Sequence, residues 1–143
     1  MRSLAIDFGE RRIGLAISDP AGAFALPLAT LARANDADAV RDIAAIAARE
    51  EVDELIVGEP RNLDGTLGPA AERCRRFAER LGAATGLPIA MTDETLTTVE
   101  ATARLRAAGV DPRRHPERLD AAAAQVLLEE VLARRARGSR GAG

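Results

Sequence analysis

Hydrophobic positions in the first third of the chain fall into short runs and not at helical spacing. Residues 3–7 and 12–18 are β-type stretches joined through "GERR", and residues 23–31, "AFALPLATL", form a third. Three such runs separated by turn residues predict an antiparallel meander. Pro27 takes an amide donor out of the third run, so that strand belongs at an edge or carries a bulge. From Asn35 the period changes to a helical one. Asn35 or Asp36 can cap the helix, and Val40, Ile43 and Ala47 share one face. "VDELIVG" (52–58) then predicts a fourth strand.

After the loop "EPRNLDGTLG", Gly68 and Pro69 make a helix start, and Ala70, Cys74, Phe77 and Leu81 recur at helical spacing with Cys74 on the core face. "LPIAMTD" (87–93) predicts a fifth strand. Thr97 and Glu100 have the spacing of a capping box, which predicts a third helix over about 98–108. Pro116 opens a last helix to about Arg135, and "RRARGSRGAG" is expected to be unstructured. The order βββαβαβαα predicts an α/β fold, a mixed sheet with helices on both faces.

Composition narrows the classes of function. At 143 residues the chain fits one domain, with residues 136–143 as an arginine- and glycine-rich tail. Neither a membrane span of roughly 20 apolar residues nor a signal peptide is visible, so a cytoplasmic protein without a membrane partner is expected. One cysteine, Cys74, and one histidine, His115, rule out an internal disulfide and a Cys/His zinc cluster, leaving oxygen ligands for any metal. The net charge is −2, all 20 basic residues are arginine, and the aromatic content of 2% argues against recognition by base stacking.

The carboxylates carry the chemistry. Asp7 ends the first strand, Asp93 and Glu94 end the fifth, and Asp120 lies in the first turns of the last helix beside a run of alanines. If strands one, four and five are parallel, their ends open on one edge of the sheet, where open α/β sheets place their ligands. Gathered carboxylates repel one another unless a cation offsets the charge, and hard oxygen ligands suit Mg2+ or Mn2+. Paired ions of this kind cut phosphodiesters. The plainer alternatives are a turn residue for Asp7, loop charge for Asp93 or Glu94, and a helix-dipole partner for Asp120.

Four segments taken together, "AIDFGERRIGLAIS" (5–18), "IVGEPRNLDGT" (56–66), "DETLTTVEA" (93–101) and "LDAAAAQVLLE" (119–129), resemble the YqgF or RuvX family of RNase H-like nucleases, related to the RuvC resolvases. The resemblance covers nearly the whole chain except the tail. It implies an RNase H-like fold over residues 1–135, with a five-stranded mixed sheet whose first three strands are antiparallel. It also implies a metal-dependent endonuclease that processes the 5′ end of pre-16S ribosomal RNA, with resolution of Holliday junctions in branched DNA as the alternative. The family's acidic positions fall on Asp7, Glu94 and Asp120, which by this likeness are the catalytic metal ligands, with Asp93 or Glu59 as candidates to join them.

Two positions depart from the family pattern. Glu59 stands where leucine is common, and is either a fourth carboxylate or an exposed loop charge, the adjacent Pro60 and Arg61 favouring the loop. Thr95 stands where arginine usually follows "DE", so that Arg61 or Arg11 takes over the contact to phosphate. Nucleic-acid contacts are expected from Arg11 and Arg12 beside Asp7, and from Arg61, Asn62, Asp64 and Gly65 in a turn that is otherwise a plain Asp-Gly loop. Arg73, Arg76 and Arg80 form a stripe of the kind usually left to solvent, while Arg134, Arg135, Arg137 and Arg140 add nonspecific phosphate attraction. His115 is a bystander or a proton-transfer aid.

Two other classes of function share some of these features. A phosphotransferase of the actin and sugar-kinase superfamily also has an Asp-x-Gly turn between strands, but it needs two such domains. A noncatalytic binding module would keep the fold without the chemistry. The expected assembly is a monomer or a homodimer, the latter suiting symmetric cutting of two strands.

Overall fold

In the computed structural model, residues 1–60, 64–94 and 96–142 are described, with side chains described as far as Gly138. Among them the strands are β1 (Ser3–Phe8), β2 (Arg12–Ser18), β3 (Ala25–Ala32), β4 (Glu54–Glu59) and β5 (Ile89–Asp93). The helices are α1 (Asp36–Arg49), α2 (Pro69–Thr85), α3 (Thr97–Ala107) and α4 (Pro116–Ala142). The strands form one sheet in the order β3-β2-β1-β4-β5, antiparallel across the first three and parallel from β1 through β4 to β5. This is the RNase H-like arrangement, and it brings the C-terminal ends of β1, β4 and β5 to one edge.

Pro27 sits where both of its expected devices occur. Strand β3 is an edge strand, and its register against β2 slips between Leu15 and Ala16, so one extra residue of β3 is absorbed beside the proline. Asn35 caps α1, its side chain accepting from the Asp38 amide at 2.8 Å. Gly68 and Pro69 open α2 as expected, although Ala71, not Ala70, joins Cys74, Phe77 and Leu81 in the core.

Two expectations are corrected at helix ends. The capping box at Thr97 and Glu100 is not made: the cap is Leu96, in the left-handed region at φ 70°, and the Thr97 hydroxyl donates instead to the Glu94 carbonyl at 2.9 Å. Helix α4 passes Arg135 and extends to Ala142, into the segment expected to be unstructured. The stretch "ARRAR" ahead of Gly138 consists of strong helix formers, which extend an already nucleated helix at little cost.

The two faces of the sheet are packed differently. Leu4, Ile6, Leu15, Leu55 and Val57 meet Ile43 of α1 and Phe77 and Leu81 of α2, all wholly buried. Each such side chain contributes roughly 1.5–3 kcal/mol. On the opposite face Ala5, Ala16 and Ile56 meet Ala124, Leu127 and Leu128 of α4. Alanines on both sides of that layer let α4 lie close to the strands, and α3 covers α4 in turn through Ala101 against Ala123 and Val126.

Candidate active site

Alternation along β1 places Ser3, Ala5 and Asp7 on the α4 face, so the strand that buries Leu4 and Ile6 on one side presents a carboxylate on the other. The space for it comes from its neighbours. Asp7 is paired with Gly14 of β2 on one side and with Gly58 of β4 on the other. A Cβ on Gly14 would lie 2.0 Å from the main-chain oxygen of Asp120, so α4 rests directly on the β2 backbone there. A Cβ on Gly58 would lie 3.0 Å from both Glu94 Oε2 and Leu127 Cδ2. The two glycines thus admit Asp120 from α4 and Glu94 from the end of β5 to either side of Asp7. A glycine inside a strand signals such close approach, and both were visible in "RIGLAI" and "LIVGE" without being recognised as part of the site.

Glu94 follows β5 in a turn closed twice by Thr97, whose amide and hydroxyl both donate to the Glu94 carbonyl, at 3.1 and 2.9 Å. Thr97 is buried, which anchors the turn. The carboxyl that results is poorly accommodated. Burial raises the Glu94 carboxyl most, its hydrogen bond with Asp7 and the charges of Asp7 and Asp93 add to the effect, and it is pushed up to about 9. Asp7 is raised as well, first by burial, with the charge of Asp120 adding to it and the hydrogen bond from Glu94 opposing it. Two half-buried acids in hydrogen-bonding contact share a proton more readily than they ionise together. Glu94 Oε2 is nevertheless buried without a hydrogen-bond partner.

Asp120 lies on the sheet-facing stripe of α4, four residues before Ala124. Its side chain accepts from Arg12 Nε at 2.5 Å. Among the described residues no three acidic, histidine or cysteine side chains are drawn together as a ready metal cage. Asp7 and Glu94 converge, while Asp120 stands beside them with an arginine. This donor set fits a hard divalent cation: an orphaned oxygen on Glu94, an Asp7 carboxyl that shares a proton with it, and a third acid, Asp120, whose charge acts on Asp7. A cation there would satisfy the orphan and relieve the repulsion.

The remaining candidates separate. Glu59, expected as a fourth ligand or an exposed loop charge, is the last residue of β4, 3% exposed and bonded to Arg75 of α2 at 3.0 Å. Alternation turns it to the α1/α2 face, away from Asp7, which corrects both readings. Asp93, in register with Glu59, is exposed at the end of β5, and its charge acts on Glu94. Arg11 is exposed in the β1–β2 turn. Asp64 accepts from the Thr66 hydroxyl and amide at 2.6 and 3.0 Å, and Gly65 takes φ 85°, so this turn holds itself together. Arg61, Asn62 and Thr95 lie outside the described residues. His115 faces Glu117 at 3.6 Å on the surface. Cys74 is buried, its thiol pushed up to about 12 chiefly by burial, which makes it inert.

Arg33 escaped the sequence reading. It stacks over Phe8, 4.3 Å from the ring centroid, bonds Asp36 at 2.9 Å and donates to the carbonyls of Gly9 and Glu10. It therefore braces the turn that carries Arg11 and Arg12. Nothing local in the sequence marks a residue 23 positions downstream of Glu10 as the support of that turn.

Comparison with known proteins agrees with this geometry. A family model described as "RuvX: Holliday junction resolvase" matches residues 1–134. A protein of Anaeromyxobacter dehalogenans strain 2CP-C, provisionally named a pre-16S rRNA nuclease, is 45% identical over 136 residues, covering 95% of this chain and 99% of that protein. One of Moorella thermoacetica under the same name is 42% identical over 134 residues, covering 94% and 96%. Among solved structures, Thermus thermophilus RuvC in complex with a Holliday junction superposes with a TM-score of 0.61 at 14% identity, covering 94% of this chain and 95% of that one. The fowlpox virus resolvase with Holliday junction DNA gives 0.54 at 12% identity, covering 92% and 99%. At these identities the solved structures speak for the fold.

Proposed function

The chain belongs to the RuvX family of Holliday junction resolvases, and from that premise we propose that it hydrolyses phosphodiester bonds with Mg2+ or Mn2+ held by Asp7, Glu94 and Asp120. The observation that carries the reading is the buried, unpartnered Oε2 of Glu94 beside Asp7. Folding spends stability to keep that oxygen dry and unsatisfied, and a cation is the partner that suits it. Bound there, the ion would neutralise charge at the phosphate and acidify the attacking water.

The chain's own residues do the rest. Asp7 and Glu94 give up their shared proton on loading. Gly14 and Gly58 let α4 and Glu94 come close to Asp7, and Thr97 fixes the direction of Glu94. Arg11 and Arg12, in and after the β1–β2 turn, are proposed to meet phosphate, as are Arg61, Asn62, Asp64 and Gly65 on the strength of their sequence. The substrate proposed is the 5′ end of pre-16S rRNA, because relatives sharing 40–45% of their residues over nearly their whole length carry that name. Branched DNA is the second reading, favoured by the family's own description. The setting proposed is the cytoplasm; no helix among the described residues is long and apolar enough to cross a membrane.

The test is cleavage of a labelled pre-16S rRNA 5′ fragment and a synthetic four-way junction in Mn2+, with EDTA and Asp7→Asn controls. We expect cutting of the RNA, abolished by EDTA and reduced roughly a thousandfold or more in the variant. Preferential cutting of the junction would reverse the order of the two substrates. Cutting that survives Asp7→Asn or EDTA would remove the carboxylate site from the mechanism.

A further inference from the structure

We infer that Arg12 is a positioning residue that holds Asp120 in reserve: it pairs with Asp120 while the site is metal-free, and is released to a phosphate of the substrate when Asp120 turns to the cation. The inference rests on the metal site proposed above and adds an order of events to it.

Geometry confines the exchange to side chains. Arg12 and Gly14 are two residues apart on β2 and so lie on the same face of the sheet, the one against α4. The main chain of Asp120 is seated on Gly14, at a spacing that leaves no room even for a Cβ. The backbone of Asp120 therefore stays where it is, and its carboxylate alone can change partner. Gly14 is also the residue paired with Asp7, so the main chain of Asp120 sits beside Asp7, and its charge acts on that carboxyl; a change in the Asp120 side chain alone is what the exchange asks for. This accounts for the finding that no three acids among the described residues form a cage: the third is engaged elsewhere.

Arg12 is equipped for the second half of the exchange. It contacts Asp120 through Nε at 2.5 Å, while its two terminal amino groups make no hydrogen bond among the described residues. Its side chain is 40% exposed, which leaves that planar fork open toward solvent at the mouth of the site. A guanidinium fork is the side-chain group best matched to a phosphate. The turn beneath it is rigid. Gly9 donates to the Arg12 carbonyl at 3.0 Å, Arg33 donates to Gly9 and Glu10, and the Arg33 amide donates to the Arg11 carbonyl at 2.8 Å. If Arg12 serves Asp120 and phosphate in turn, cation and nucleic acid must strengthen each other's binding, because each removes a competitor of the other.

Calorimetric titration of Mn2+ into protein without nucleic acid tests the first half, using wild type, Arg12→Gln, Asp120→Asn and the double variant. We expect Arg12→Gln to bind Mn2+ more tightly than wild type, roughly three- to tenfold for a partly exposed charged pair, and this gain to vanish in the Asp120→Asn background. Anisotropy of a labelled RNA with phosphorothioate linkages tests the second: Mn2+ should tighten its binding to wild type and not to Arg12→Gln. An unchanged or weaker Mn2+ affinity in Arg12→Gln overturns the inference. So does an equal gain in the Asp120→Asn background, which would show plain charge repulsion. Mn2+ binding that is insensitive to Asp7→Asn and Glu94→Gln, or absent from wild type, overturns the proposed metal site itself and this inference with it.

Discussion

The α4 face of the sheet draws carboxylates out of water at each end, and the two ends treat them in opposite ways. At the N-terminal end of β4, Glu54 is 7% exposed and fully satisfied: the Ser3 hydroxyl donates to it at 2.7 Å and both terminal amino groups of Arg135 reach its two oxygens. Burial alone pushes the Glu54 carboxyl up, but Arg135 and Ser3 more than offset it and hold it below the usual range. At the other end Glu94 and Asp7 are half-buried with one another for company, Glu94 Oε2 being shut off from water, and both are pushed up. A charge that helps the fold is given partners by the fold. The pair Asp7 and Glu94, kept for a ligand, is left with no cation of its own, and the protein bears the cost until the ligand arrives.

Substitutions at the two ends should expose this difference, beginning with the largest effect. Gly14→Ala drives a Cβ into the main chain of Asp120, and because backbone cannot step aside as a side chain can, we expect a loss of about 3 kcal/mol or more. Urea denaturation measures it; a loss below about 1 kcal/mol would mean that α4 is not seated on β2 as described.

Arg135→Ala should cost about 2 kcal/mol by leaving Glu54 buried with Ser3 alone. The pH dependence supplies a second check. A lowered carboxyl contributes stability that is present above its ordinary value, 4.5, and lost as pH falls through its folded value. The variant should therefore lose less than wild type on acidification over that window.

The smallest effect has the opposite sign. Glu94→Gln should stabilise the metal-free protein by about 1 kcal/mol near neutral pH, since it removes an acid the fold keeps uncomfortably. A raised carboxyl contributes stability that is complete below 4.5 and lost as pH rises through about 9. In EDTA the wild-type melting temperature should accordingly fall between those limits relative to the variant. Parallel curves for the two proteins would show that Glu94 is as well satisfied as Glu54, and the contrast between the two ends would disappear.

Much of this was legible in the chain. The meander, Pro27 at an edge with a bulge, the Asn35 cap and the Gly68–Pro69 start all follow from local rules, because φ restriction, a missing amide donor or a short polar side chain acts within a few residues. The helix after β5 is a nearer case. Its existence was legible, but its start was decided by Thr97 bonding back to Glu94 in preference to a capping box, a choice made when that threonine became buried. Glu59 shows the limit more plainly. Its neighbours Pro60 and Arg61 suggest a solvated turn, while strand pairing extended β4 by one residue and handed it to Arg75, 16 positions away.

By itself, then, the sequence determined the order of elements, which faces are apolar, and that Asp7, the adjacent Asp93 and Glu94, and Asp120 belong to elements whose ends can meet. These follow from periodicity and from short-range sterics, which need no knowledge of distant residues. Only the tertiary structure decided which acid is satisfied and which is left wanting. That depends on whether an arginine, a hydroxyl or a bare glycine comes to lie opposite each carboxylate, and such meetings, Glu54 with Arg135 or Arg12 with Asp120, are made across 81 and 108 residues of chain when the strands pair and α4 settles onto them.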